Sequence, residues 1–161
     1  MTDPSKTNLY ALKCISKKET VKNKLEKHLI NEKLVLEEMN EQSPFCVNYI
    51  RSYKDENFIY FLMEYINGLE LFDVIRIIGI LSPEQTQFYG AIMLNFLEAM
   101  HSKGIIYRDL KPENVMVEET GYLKLIDMGT CKKMNQSKEN EGSMTLGKTF
   151  TIIGTPNYMA P

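Results

Sequence analysis

A glutamate inside an apolar helical stripe and a lysine between apolar neighbours on a strand constrain this chain more than any other feature. At 100° per residue, Val21, Leu25, Leu29, Leu36 and Met39 share a stripe about 80° wide along a predicted helix from Thr20 to Asn40, and Glu32 lies inside it. In the preceding strand, Leu9 to Ile15, a period of two puts Ala11, Lys13 and Ile15 on one face. Burying either charge alone costs several kcal/mol, and an ammonium meeting a carboxylate offsets much of both penalties. The strand is therefore expected to pack on the helix with Lys13 against Glu32. The alternative lets Glu32 snorkel off the stripe edge and leaves Lys13 on a solvated sheet face.

The rest of the chain divides at Asn67-Gly68. Before it, Val47 to Tyr53 and Phe58 to Glu64 are rich in aromatic and β-branched residues and read as a hairpin turning at Lys54-Asp55-Glu56-Asn57. After it the character is helical, first from Leu69 to Ile78 and then from Ser82 to a stop at Gly104. Ser82-Pro83-Glu84-Gln85 supplies a capping hydroxyl, a proline where no amide hydrogen is needed, and a Gln placed to reach back. Val115 to Val117 and Leu123 to Ile126 form a second predicted hairpin through Glu118-Glu119-Thr120-Gly121, and the polar stretch Asn135 to Lys148 reads as a mobile loop. The fold class is α+β.

Charge and composition narrow the function classes. Nineteen Lys plus Arg against 21 Asp plus Glu give a net charge of -2, so bulk charge does not favour a polyanion. The lysines from Lys13 to Lys33 alternate with Glu19, Glu26 and Glu32 and lack aromatic stacking partners, which argues for a solvated helix face and against nucleic acid as a partner. No apolar run is long enough for a membrane span. Cys14, Cys46 and Cys131 are odd in number, widely spaced and without a C-x-x-C pair, as expected of reduced packing residues in a cytoplasmic protein.

The chemistry concentrates in Ile105-Ile106-Tyr107-Arg108-Asp109-Leu110-Lys111-Pro112-Glu113-Asn114, which sets two acids, two bases and an amide between a helix and a strand. Asp127 follows the end of the next strand, and the hairpin brings it towards Asn114. One carboxylate, one amide oxygen and several waters suit Mg²⁺, a hard octahedral ion that usually binds together with substrate phosphates. Asp109 is then left to handle a proton.

Tyr107-Arg108-Asp109-Leu110-Lys111-Pro112-Glu113-Asn114, the Asp127-Met128-Gly129 turn, the stretch GTPNYMAP from Gly154 and YALK ending at Lys13 together resemble the protein kinase signature set, in the correct order. Tyrosine before Arg108 and the wording HLINEKLVL and FLMEY resemble the cyclic-nucleotide-dependent kinases of the AGC group, nearer the cyclic-GMP-dependent branch. The resemblance implies a bilobal fold, with 1–66 a partial small lobe and 67–161 a partial large lobe. It also implies a Ser/Thr protein kinase that uses ATP and Mg²⁺. Only twelve residues precede Lys13, without a glycine-rich loop, and the chain ends at Ala160-Pro161, so a fragment of a longer kinase is expected.

On that resemblance Lys13 holds the α and β phosphates and Glu32 orients it. Asn114 and Asp127 hold the metal, Asp109 receives the substrate hydroxyl proton, and Lys111 stabilises the transferred group. Adenine is expected between Ala11 and Met116 and against the backbone from Glu64 to Ile66, with Met63 behind it; each of the apolar residues could equally be core. Glu70 is assigned both to the nucleotide pocket and, with Glu113, to basic residues of a protein substrate; exposed carboxylates are as often plain surface. Thr151 is the expected phosphorylation site, with His28, Arg108 and Lys132 as its cationic pocket, and Thr155 is expected to bond to Asp109 and Lys111 unless it is only a turn residue. Met128 stands where the family has phenylalanine, a flexible thioether for a rigid ring. That departure favours the alternative of a nucleotide-binding pseudokinase or scaffold.

Overall fold

The computed structural model describes residues 9–40, 42–134 and 154–159. The stretch Asn135 to Lys148 and Thr151 lie outside these residues.

Strand β1 (Tyr10–Ser16) follows the period of two: Ala11, Lys13 and Ile15 turn inward, and Tyr10, Leu12 and Cys14 are exposed. It joins an antiparallel sheet of order β1-β3-β2 with β2 (Tyr49–Lys54) and β3 (Phe58–Glu64). The β2–β3 turn is held by Asp55, whose carboxylate accepts from the amides of Asn57 at 2.8 Å and Phe58 at 2.7 Å. This Asx-type bonding explains the turn without a glycine.

The predicted helix from Thr20 to Asn40 is two helices, α1 (Lys17–Lys22) and α2 (Glu26–Met39). Between them Lys24 takes φ 56°, Leu25 donates to the Thr20 carbonyl at 2.9 Å and Lys24 to that of Val21 at 3.1 Å. That bond pair is a Schellman stop with lysine in the position glycine usually fills. The stripe is corrected with it: Val21 and Leu25 are exposed, while Glu32, Val35, Leu36 and Met39 form the buried face of α2.

The large part starts with a strand that the pattern did not predict, β4 (Gly68–Glu70), so helix α3 spans Leu71–Ile78 and does not begin at Leu69. A Cβ on Gly68 would stand 2.0 Å from the Val117 carbonyl oxygen, so only glycine permits this pairing. Helix α4 (Pro83–Ser102) carries the full capping box of Ser82 and Gln85 and buries Ile92, Phe96 and Met100 at four-residue spacing. Each such fully buried side chain is worth about 1.5–3 kcal/mol. It stops at Gly104, with φ 68°. Short strands β5 (Ile105–Ile106), β6 (Val115–Glu118), β7 (Leu123–Leu125) and β8 (Lys132–Lys133) complete two small sheets, of order β4-β6-β7 and β5-β8.

One core runs through both parts. Met39, Phe61, Phe96, Leu125 and Met128 are all buried in it. Cys46 bridges Leu125 in parallel, with Val47 N–H donating to the Leu125 carbonyl at 3.0 Å and Leu125 N–H to that of Phe45 at 2.8 Å. The segment between α2 and β2 is thereby stitched to β7, and the two sets of charged residues face one cleft.

Candidate active site

Lys13 and Glu32 meet. The ammonium donates to Glu32 Oε1 at 2.5 Å and lies 3.7 Å from Oδ1 of Asp127, two residues past β7. The Glu32 side chain is 8% exposed and that of Lys13 39%. Burial pulls Lys13 down, but Glu32 and then Asp127 outweigh it, so the ammonium titrates above its ordinary value. For Glu32 burial is the larger effect and raises it; Lys13 offsets part of the rise and Asp127 adds to it.

Below this group the loop between β5 and β6 is tied around Asp109, which is 8% exposed. Thr155 Oγ1 donates to Asp109 Oδ1 at 2.7 Å, Lys111 Nζ lies 3.1 Å from Oδ2, and Asn114 Nδ2 donates to Oδ2 at 3.1 Å and to the Asp109 carbonyl at 2.9 Å. Burial pushes the Asp109 carboxyl upward, yet these three donors prevail and hold it below its ordinary value, so it is ionised at neutral pH. Lys111 also donates to Thr155 Oγ1 at 3.0 Å, and its ammonium is raised first by the bond to Asp109. Arg108, just ahead, has φ 71°, a strained conformation costing about 1–3 kcal/mol for a non-glycine residue. Its guanidinium compensates by donating to the carbonyls of Thr130 at 2.6 Å and Cys131 at 3.4 Å.

A cavity of about 460 Å³ opens between the parts. Ala11, Val47, Met63, Met116 and Ile126 give it apolar walls, the chain from Glu64 to Ile66 one edge, and Lys13, Asn114 and Asp127 a charged end. An apolar slot with a cation and two oxygen donors at one end fits a nucleoside polyphosphate. The donors also fit Mg²⁺: because Asn114 spends its nitrogen on Asp109, its amide oxygen is left as a donor, and the Asp127 carboxylate is 44% exposed. A second cavity, about 500 Å³, lies on the α2 side of Lys13 and Asp127 and is lined by Thr20, His28, Leu29 and Thr130 among others.

Most residues singled out from the sequence thus gather at one cleft. Glu70 does not line the nucleotide-sized cavity; it ends β4 opposite Met116. Glu113 has a buried Oε2 without a partner among the described residues. The surroundings of Thr151 lie outside them, but Asn31, three residues after His28, donates to the Cys131 carbonyl at 2.6 Å, the same oxygen that Arg108 reaches, and Lys132 follows it. Sequence reasoning missed Asn31, and it missed Lys124, whose ammonium lies 2.6 Å from Glu64 Oε1. The polar face of α2 beside Glu32 was a signal for the first; for the second, a contact sixty residues apart leaves no local signal.

Comparison with known proteins agrees with this geometry. The family model described as Protein kinase domain matches residues 1–161. The chain is 40% identical over 152 residues to the cGMP-dependent protein kinase of Toxoplasma gondii, covering 94% of this chain and 14% of that protein. It is 36% identical over 156 residues to cGMP-dependent protein kinase, isozyme 1, of Drosophila melanogaster, covering 97% and 19%. With the human cAMP-dependent protein kinase catalytic subunit PRKX it shares 40% identity over 154 residues, 96% of this chain and 39% of that one. The chain therefore spans between about one seventh and two fifths of these relatives.

Proposed function

Because the chain belongs to the protein kinase family, we propose that it binds ATP with Mg²⁺ in the 460 Å³ cavity and transfers the γ-phosphoryl group to Ser or Thr hydroxyls of protein substrates. The observation that carries this reading is the Lys13 ammonium held between Glu32 and Asp127 at the charged end of an otherwise apolar slot. Lys13 engages the α and β phosphates, and Glu32 keeps it from collapsing onto Asp127. Asn114 and Asp127 hold Mg²⁺, which neutralises charge on the phosphate oxygens when bound. Asp109, ionised and oriented by Thr155, accepts the substrate hydroxyl proton, and Lys111 stabilises the transferred group.

The residues 1–66 and 67–161 act as two lobes around this cleft. Glu113 and Glu70 select basic residues ahead of the phosphorylated position. Phosphorylation of Thr151, with His28, Arg108 and Lys132 as its cationic pocket, switches the enzyme on. The working compartment is the cytoplasm, in keeping with three unbridged cysteines.

Transfer of labelled phosphate from ATP to a Ser-containing basic peptide by the full-length protein tests this reading. Asp109→Asn is expected to lower kcat by about 10²–10⁴-fold while ATP still binds. Equal turnover in that variant would overturn the assignment.

A further inference from the structure

Glu64 ends β3 at the edge of the nucleotide-sized cavity, but its carboxylate is engaged elsewhere. Oε1 accepts from Lys124 Nζ of β7 at 2.6 Å and from the Asn48 amide at 2.8 Å, and Oε2 lies 3.4 Å from Asn48 Nδ2. Asn48 in turn accepts at its carbonyl from Glu64 N–H at 3.0 Å. Neither Lys124 nor Asn48 lines the cavity, so these bonds draw the side chain away from it and leave the backbone from Glu64 to Ile66 as its edge. The pair is half dry, with the Lys124 side chain 12% and the Glu64 side chain 27% exposed, which makes its bonds stronger and its geometry tighter than a surface ion pair. It also crosses between parts: Glu64 belongs to the β1-β3-β2 sheet and Lys124 to the β4-β6-β7 sheet. The neighbouring Cys46–Leu125 bridge fixes the same strand to the segment just before Asn48.

We infer that Lys124, with Asn48, is a positioning residue that clamps the Glu64 carboxylate, sets the backbone from Glu64 to Ile66 against the purine end of the cavity, and couples the large part to base binding. The clamp rests on the nucleotide reading above. It acts at the end of the cavity remote from Lys13 and Asp127, so its loss weakens adenosine as much as ATP.

The test is binding of adenosine and of ATP with Mg²⁺ to the full-length protein by calorimetry, with KM for ATP and kcat measured beside it. Lys124→Met and Glu64→Gln are each expected to weaken both ligands about tenfold, the scale on which losing one charge-assisted hydrogen bond moves an equilibrium. KM rises more than kcat falls, the double variant is no worse than either single one, and Lys124→Arg restores affinity. If Lys124→Met does not fold, Lys124→Gln is read in the same way. A loss confined to ATP, additive losses in the double variant, or unchanged affinity would each overturn the clamp. Failure of the unmutated protein to bind ATP would instead overturn the nucleotide reading beneath it.

Discussion

Glu32 and Asp109, two of the acids of the cleft, are displaced in opposite directions, and the order in which they take up protons follows. Glu32, raised chiefly by burial, is protonated at a higher pH than an ordinary glutamate. Asp109, held down by Thr155, Lys111 and Asn114 against its own burial, keeps its charge below the ordinary aspartate range. For stability the signs differ: the Asp109 network contributes above the unfolded pKa and is lost as pH falls through the lowered folded one. Glu32 favours the folded state below its unfolded pKa, and that contribution disappears as pH rises through the raised folded value. On acidification Lys13 therefore loses the nearer of its two carboxylate partners before Asp109 loses its charge. KM for ATP is expected to rise first and kcat to fall only at lower pH, as pH profiles of both constants will show. The reverse order would mean that Glu32 does not position Lys13. This pair was legible in the sequence because each charge interrupted a periodic apolar face. The clamp on Glu64 was not, because its partner lies sixty residues away on a strand of another sheet, and nothing in either local pattern pairs the two.

At the scale of elements, helix ends separate what local chemistry announces from what it hides. Ser82-Pro83-Glu84-Gln85 names the start of α4, and both bonds of its capping box are present at 2.9 and 3.2 Å. Ser82→Ala is expected to cost about 1 kcal/mol, a fall of about 2–4 °C in Tm for a chain of this size. The break between α1 and α2 carried no such signal, because lysine fills the left-handed position where glycine would have marked a stop. Lys24→Gly should relieve that strain at some cost in unfolded-state entropy, for a net gain of about 0.5–1 kcal/mol in thermal unfolding. A lower Tm would mean that the Lys24 side chain supplies more than the backbone loses. Strands β4, β5 and β8 were unreadable for a third reason: two or three residues carry no alternation, and they exist only because β6 or each other offers a partner edge. Gly154, with φ 128° and a built Cβ 2.6 Å from the Arg108 carbonyl oxygen, shows how such contacts reach the site. Gly154→Ala forces a shift there, beside Thr155 and its bond to Asp109, so kcat is expected to drop with little change in KM for ATP.

For the whole molecule, the motifs identified which residues belong together but not what holds the two parts in register. The Lys13–Asp127 contact at 3.7 Å, the Glu64–Lys124 pair and the backbone bonds of Phe45 and Val47 with Leu125 all join the β1-β3-β2 sheet and the segment leading into β2 to β7 or to Asp127 just past it. A ligand that fills the cleft therefore stabilises both parts at once, because it binds the folded chain and not the unfolded one. At a hundred times its Kd, ATP with Mg²⁺ adds about 2.7 kcal/mol, or about 5–10 °C in Tm. The two ends of the charged array divide this gain. Lys13→Met removes the cation proposed to face the phosphates and is expected to reduce the shift from ATP to that of adenosine, with or without metal. Asp127→Asn leaves that cation in place, and should keep the shift from ATP alone while losing the increment that Mg²⁺ adds. Thermal melts of the two variants, each with ATP plus EDTA and with ATP plus Mg²⁺, distinguish these cases. A Mg²⁺ increment that survives Asp127→Asn would place the metal on other residues and leave Asn114 without its assigned role.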